Sequence, residues 1–248
     1  MPNHSREASL ELSCQRLDAS DEVTRLSQAD EDKDQTYFLS SVPSCKLAMA
    51  AFPLGGLRKG QVREIAIKAG LPAAQKRESM GLCFVGKRNF RDFISEYVPP
   101  MKPGRFVNTD GEDMGESRAP YLYTEGQGAK IGGLQGKWFV VSKDVKAGKV
   151  VIAEGTDNSS LFSHVFEAGP PAWVAGVPPP FPLACQIRVR HRQELIEAVI
   201  MPGEGQRIRV ESGIPIRAIA RGQVVAVYSG DECLGSAPIT RSEHQGYR

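Results

Sequence analysis

One stretch decides the fold: Cys185-Gln186-Ile187-Arg188-Val189-Arg190-His191-Arg192, which alternates side chains as a β-strand does. Neighbouring residues of a strand point to opposite sides, so the arginines at 188, 190 and 192 are predicted to share one face, opposite His191. Four more short strands are predicted at 197–201, 207–211, 223–228 and 234–239, with turns between them. Short strands at this spacing predict a small β-barrel.

A second β-rich region precedes the barrel. The apolar runs 138–141 and 150–153 flank a turn near Gly148, which predicts a β-hairpin. Two proline-rich stretches, 169–171 and 177–180, then predict a stiff connector to the barrel.

Two amphipathic helices are predicted earlier in the chain. The first has apolar residues at helical spacing and a stop at Gly70, its face being formed by Val62, Ile65, Ala66 and Ala69. The second begins after Asn89, and its face is formed by Phe90, Phe93, Ile94 and Tyr97. With the predicted strands, these helices make the expected fold class α+β.

The charge is unevenly divided along the 248 residues, whose net charge is +2. Residues 1–34 contain four Lys or Arg against nine Asp or Glu, which leaves the remainder at +7. The acidic start is predicted to be mobile. The basic remainder suits a phosphate-bearing partner, although a solvated surface has the same composition. No apolar run approaches the roughly 20 residues that cross a bilayer, so no membrane partner is expected.

The five cysteines form no Cys-x-x-Cys pair and no His/Cys metal spacing, so we expect free thiols and no metal. Cys83 lies in the segment Met80-Gly81-Leu82-Cys83-Phe84-Val85-Gly86-Lys87-Arg88, which has further cations upstream at Lys76 and Arg77. Nearby cations lower the pKa of a thiol and favour a thiolate or persulfide. The apolar neighbours are equally typical of a buried, inert cysteine, and the residues alone leave both interpretations open.

Several strings occur in one order and together resemble the tRNA 2-thiouridylases. Their residues look like those of the animal mitochondrial branch of that family. They are Lys33-Asp34-Gln35-Thr36-Tyr37-Phe38-Leu39, Phe52-Pro53-Leu54-Gly55-Gly56-Leu57, residues 76–91 and Gly230-Asp231-Glu232-Cys233-Leu234-Gly235. The resemblance runs from about residue 33 to about residue 239. Enzymes of this family replace the C2 oxygen of the wobble uridine with sulfur.

The resemblance implies a domain organisation. It indicates an acidic, non-family start at 1–32 and a helical remnant of an α/β ATP-pyrophosphatase domain at 33–100. A small β-rich central domain follows at 101–160, and a tRNA-contacting C-terminal β-barrel at 161–248. Because the parallel sheet on which such helices lean is not found in the sequence, their apolar faces are expected to be exposed.

The resemblance also implies functional residues and partners. Cys83 matches the catalytic persulfide carrier of the family, and the tRNA-contacting positions match Lys33, Asp34, Gln35, Arg190, His191, Arg192 and Gln223. Without the resemblance, the arginines read as the solvated face of a half-buried strand. The implied partners are tRNA and a persulfide sulfur donor, for a monomer in the mitochondrion, although the acidic start lacks the features of a transit peptide.

The sequence departs from the family at two catalytic elements. ATP is the family co-substrate, but the Ser-Gly-Gly-Val-Asp-Ser loop that binds it is not found among these residues, and the pairs Gly55-Gly56 and Gly132-Gly133 read as turns. The second catalytic cysteine has no counterpart, because the surroundings of Cys14 do not match its motif. Glu125 and Gly128 also depart from a family string, either weakening a phosphate contact or being tolerated on a surface loop.

Three functional hypotheses follow from these observations. The first is a tRNA-uridine 2-sulfurtransferase whose activity requires the ATP-binding half to be supplied. The second is a non-catalytic tRNA-binding or sulfur-accepting module from a truncated isoform, and we expect the isolated chain to behave in this way. The third is a thiol-redox protein that uses Cys83.

Overall fold

The computed structural model describes residues 26–27, 34–76, 88–98 and 102–243. They form two compact units. The barrel unit comprises the described residues among 1–75, 164–215 and 221–242, and the central unit those among 76–163, 216–220 and 243. Within these described ranges, no helix combines the length and apolar character needed to cross a membrane.

The described residues contain short helices and two sheets. The α-helices are α1 Thr36–Leu39, α2 Ser44–Leu47, α3 Lys59–Lys68 and α4 Phe90–Ser95. The first strands are β1 Leu26–Ser27, β2 Gly104–Asn108, β3 Asp113–Ser117, β4 Gly128–Ala129, β5 Trp138–Asp144, β6 Lys149–Glu154 and β7 Phe162–Ala168. The later strands are β8 Ala172–Trp173, β9 Leu183–Arg188, β10 Ile196–Pro202, β11 Ile208–Arg217, β12 Val224–Ser229 and β13 Glu232–Glu243.

The predicted C-terminal barrel is confirmed. Its strands are ordered β13-β12-β9-β10-β11-β7, and β7 pairs again with β13, so that the ring closes. Strand β10 shows why the sequence folds this way, since Ile196, Ala198 and Ile200 are buried while the intervening residues face outward. Closure pairs the edge strands and leaves the barrel wall without an open edge.

The acidic start contributes to the barrel at the residues where it is described. Leu26 is fully buried and pairs with Cys233, so β1 adds to the beginning of β13. The Leu26 side chain belongs to the same buried cluster as Tyr228, and the mobility of the start stays a prediction. The other residues of 1–33 lie outside the described residues.

The central unit is built on a five-stranded sheet in the order β3-β2-β6-β5-β4. The predicted hairpin is confirmed, since β5 and β6 pair antiparallel. The four middle residues of β6 are all buried. Val150 and Ile152 pack on one face while Val151 and Ala153 pack on the other, which explains why this strand is a continuous apolar run.

The first predicted helix is confirmed as α3, where Gln61 Oε1 accepts a hydrogen bond from the Arg58 N–H at 2.8 Å. Gly70, at φ +66°, ends it in a conformation that favours glycine. As expected, its apolar side chains are left uncovered, Ile65 being 53% exposed. The second predicted helix corresponds to α4. These short helices agree with a mixed fold, but their origin in an α/β pyrophosphatase domain remains a prediction.

Because two thiols are buried, we expect the free energy of unfolding to fall at alkaline pH. Burial, assisted by the carboxylate of Glu197, raises the pKa of Cys185 to about 12, and burial raises that of Cys233 to about 12. Both thiols stay protonated in the folded chain at pH values where the unfolded chain ionises, near pH 8.5. The unfolded state then binds fewer protons, so the free energy of unfolding falls between pH 9 and pH 12, by roughly 1–2 kcal/mol per thiol at pH 10.

Urea unfolding at pH 7, 8, 9 and 10 measures this effect. We expect a constant contribution from the thiols up to pH 8 and a shallower alkaline decline in Cys185→Ala than in the unsubstituted chain. Equal alkaline slopes in the two proteins would contradict the assigned burial effect.

Candidate nucleic-acid interface

Strand β9 ends earlier than the sequence predicts. It stops at Arg188, and Arg190-His191-Arg192, which we call the basic turn, connects it to β10. The Gln193 side-chain oxygen accepts a hydrogen bond from the Val189 N–H at 3.1 Å, and Arg192 adopts a left-handed φ of +66°. The predicted common face of three arginines is therefore wrong, because a regular strand cannot continue through this turn.

Arg188 is buried against the segment that carries the predicted site residue Asp34. Its Nη1 lies 2.5 Å from Asp34 Oδ2, and the two side chains are only 8% and 2% exposed. The guanidinium also lies 5.5 Å from the centroid of the Tyr228 ring. Asp34 is thus directed into the barrel unit rather than towards solvent, and it attaches residues 34–39 to β9.

Further hydrogen bonds fix the same segment. The other carboxylate oxygen of Asp34 accepts from the Thr36 N–H at 2.7 Å, and Thr36 Oγ1 lies 3.1 Å from the Tyr228 hydroxyl. The Tyr37 hydroxyl lies 3.2 Å from the Val189 carbonyl oxygen and 3.0 Å from that of Val224. One side chain of α1 thus reaches both the residue before the basic turn and the residue after Gln223.

The electrostatics of Tyr37 reflect this position. Partial burial raises the pKa of the Tyr37 hydroxyl, while the positive charge of Arg190 and the hydrogen bond to Val224 act in the opposite direction. Arg190 is therefore close enough to influence α1, and the nearby Phe38 ring lies 4.6 Å from the His191 ring, centroid to centroid.

The structure brings six of the predicted tRNA-contacting positions into one region of the barrel unit. Gln35 and Arg192 are exposed, whereas Arg190, His191 and Gln223 are half-buried and Asp34 is buried. The Gln223 side-chain oxygen is buried and has no hydrogen-bond partner among the described residues. Lys33 and Cys83 lie outside the described residues, as do Arg77 and Lys87. Of the cations predicted around the thiol, Lys76 is exposed and Arg88 forms an ion pair with Glu96 at 2.6 Å.

Sequence reasoning missed the residues that hold this region together. Alternation predicts Arg188 in a solvent-facing row, and no sequence pattern distinguishes Tyr37 and Phe38 from the rest of their string. The Asp34 and Arg188 partners are 154 positions apart, so neither periodicity nor local spacing connects them. The only available signal was that buried charges require partners, which does not identify the partner.

The family string from which Glu125 and Gly128 depart lies in the central unit. Glu125 is buried at 6% exposure, so its placement on a surface loop is wrong, whereas Gly128 is exposed. Next to it is a cleft of about 300 Å³. Its lining includes two lysines and four apolar side chains, Lys130, Lys137, Ile131, Leu134, Trp138 and Phe139.

The buried ion pair predicts a large asymmetry between two arginine substitutions. Arg188→Met leaves the Asp34 carboxylate buried without its cation, which should lower the free energy of unfolding by about 3–5 kcal/mol. Arg207→Met is the matched control, because Arg207 pairs with Glu167 at 3.2 Å while half exposed, and such pairs contribute less than about 1 kcal/mol. Urea unfolding compares the two variants. Equal decreases in the free energy of unfolding would show that the buried pair does not anchor residues 34–39.

Three family models match the chain in succession. The tRNA methyl transferase HUP domain matches residues 13–87, the tRNA methyl transferase PRC-barrel domain residues 91–154, and the aminomethyltransferase β-barrel domain residues 163–239. The third range contains the basic turn and all of the closed barrel except the first residue of β7 and the end of β13, and the first contains the segment anchored by Asp34.

Curated relatives agree with these matches. The chain is 40% identical over 231 residues to tRNA-specific 2-thiouridylase MnmA of Lactococcus lactis subsp. cremoris, covering 90% of this chain and 61% of the relative. It is 39% identical over 239 residues to mitochondrial tRNA-specific 2-thiouridylase 1 of Homo sapiens, covering 94% and 56% respectively. The Gallus gallus protein of the same name is 39% identical over 246 residues, covering 93% and 58%.

The chain thus spans about 60% of the length of the curated relatives it matches. Bacterial and mitochondrial relatives both match about nine-tenths of it, and the three family models follow one another from residue 13 to residue 239. This chain belongs to the tRNA 2-thiouridylase family.

Proposed function

We propose that this chain is the tRNA-binding and sulfur-carrying part of a tRNA-uridine 2-sulfurtransferase that acts on the wobble uridine. The observation that carries this proposal is the convergence of residues 34–38, the basic turn and Gln223 in one region of the barrel unit. These are three of the places where the sequence resembles the tRNA-contacting positions of the family.

The chemistry of this region suits a nucleic acid. Arg190 and Arg192 supply guanidinium groups, which bind phosphates without reading the base sequence. The exposed Gln35 and the half-buried Gln223 supply amide groups, which can hydrogen-bond to ribose hydroxyls. In this proposal Asp34 does not touch the RNA, but positions the segment through Arg188.

Cys83 is proposed to carry the sulfur. Its thiolate attacks the outer sulfur of a donor persulfide, so that a new S–S bond forms at Cys83 while the donor S–S bond breaks and the donor leaves as a thiolate. The product is a Cys83 persulfide, which holds the sulfur destined for C2 of the uridine. Its transfer needs the C2 oxygen to depart as an activated leaving group and a second thiol to break the S–S bond at Cys83, and we assign neither role to this chain. This role rests on the sequence resemblance around Cys83.

The described residues do not fit the family's nucleotide loop. Of the two candidate glycine pairs, Gly55 is buried and its N–H donates to the Phe52 carbonyl oxygen at 3.0 Å, so this amide is not available to a phosphate. Neither pair is accompanied by the serines and aspartate of that loop. We therefore derive no nucleotide-dependent step from this chain, and full turnover is proposed to require that function from elsewhere.

The second hypothesis, a tRNA-binding or sulfur-accepting module without turnover, is favoured for the isolated chain by the same structure. The anchored segment and the closed barrel are both formed here, while the glycine pairs do not fit a nucleotide. Because relatives named as mitochondrial match the chain, we propose the mitochondrion as its site of action and mitochondrial tRNA as its partner.

Salt-dependent binding of an unmodified tRNA transcript tests the interface. Two lost phosphate contacts should reduce the slope of log K against log salt by roughly 1–2 in the Arg190→Ala, Arg192→Ala double variant, and affinity should fall about 10-fold or more at low salt. The matched control is Arg207→Ala, Arg209→Ala, which removes the same charge from an exposed residue immediately before β11 and a half-buried residue at its start. If the slope of log K against log salt decreases equally in both double variants, the basic turn is not the tRNA contact.

Sulfur capture tests the proposed carrier. After incubation with a persulfide donor, labelled sulfane sulfur should be found on the chain and be lost in Cys83→Ser but not in Cys45→Ser, which changes an exposed thiol. With ATP and tRNA added, a mercury-containing gel should show no thiouridine. Undiminished capture by Cys83→Ser would remove Cys83 from its role, and thiouridine formation would contradict the proposed dependence on a separate nucleotide site.

A further inference from the structure

Phe38 is exposed in the middle of the proposed interface. Its side chain is 59% exposed, although it is a large apolar group. The ring lies 4.6 Å from the His191 ring at 44°, and 5.6 Å from the Tyr37 ring in an edge-on arrangement at 85°. The exposed aromatic surface therefore belongs to a cluster of three rings.

Hydrogen bonds and the buried ion pair fix the segment that carries this aromatic cluster. Tyr37 is tied to two backbone carbonyls, and Asp34 fixes the beginning of α1 through Arg188. The neighbouring residues Thr36 and Leu39 are buried or half-buried, so Phe38 is the apolar residue of α1 that faces solvent. A pre-positioned ring is suited to binding because little side-chain freedom remains to be lost.

The surroundings of the ring identify the kind of ligand. Arg190 acts electrostatically on the adjacent Tyr37, and the exposed Arg192 belongs to the same turn as His191. An aromatic face beside guanidinium groups is the arrangement with which proteins stack unpaired bases and hold the flanking phosphates. A purely apolar protein partner would not use these charges.

We infer that Phe38, supported by His191, is a stacking platform for an unpaired nucleobase of the bound RNA. Stacking is tolerant of base identity, so the platform contributes affinity and positions the strand without selecting a sequence. This inference rests on the proposed tRNA-binding function and adds a residue that makes contact by stacking rather than through charge.

Substitution of Phe38 tests the platform. Phe38→Leu keeps an apolar side chain but removes the aromatic face, and should weaken binding of the tRNA transcript about 5- to 100-fold. The slope of log K against log salt should be unchanged, because no phosphate contact is lost. Phe38→Tyr, which retains a ring, should bind within about twofold of the unsubstituted chain, since stacking needs only the π-face.

The control is Tyr97→Leu, which removes another exposed aromatic ring, 70% exposed and packed on Phe93 in the central unit. It should leave the affinity unchanged. Circular dichroism and urea unfolding establish that each variant is folded.

The outcomes separate the two proposals. If the unsubstituted chain does not bind the tRNA transcript, the proposed function fails and the platform with it. If the chain binds but Phe38→Leu binds equally well, only the platform is overturned. Equal losses in Phe38→Leu and Tyr97→Leu, or a loss accompanied by a reduced salt slope, would also overturn stacking at Phe38.

Discussion

The buried ion pair between Asp34 and Arg188 is the interaction on which the proposed interface depends. Both side chains are almost entirely removed from water, and their charges are 2.5 Å apart. Burying either charge alone would be costly, so each requires the other to be in place. The pair thereby holds α1 against the end of β9, where the chain turns and presents two arginines and a histidine.

In this arrangement, the residues that hold α1 in place differ from those that are exposed for contact with a ligand. Asp34, Arg188, Thr36 and Tyr228 form a buried polar cluster that positions α1 and makes no surface of its own. Gln35, Phe38 and Arg192 are exposed above it. Asp34 matches a tRNA-contacting motif, but it contributes to the interface indirectly, because it fixes the conformation of its neighbours.

Much of the fold could be predicted from residue patterns. Continuous apolar runs indicated the β5–β6 hairpin, and regular short strands indicated the barrel, because burial on one or both faces leaves a readable pattern. The end of β9 could not be read in this way, since alternation continues through Arg190 and Arg192 while hydrogen bonds made by Gln193 close a turn. The pairing of Leu26 with Cys233 joins distant residues and has no local signal.

The site was predicted as separate strings, and the structure supplies the contacts that unite them. Hydroxyl-radical footprinting with and without tRNA tests this union most directly, because it reports the solvent accessibility of individual side chains. We expect Phe38 and His191 to be protected together with Arg192 when tRNA binds, while the exposed Tyr97 keeps its reactivity. Protection confined to the central unit, or restricted to only one of the barrel segments, would contradict a single tRNA-binding surface.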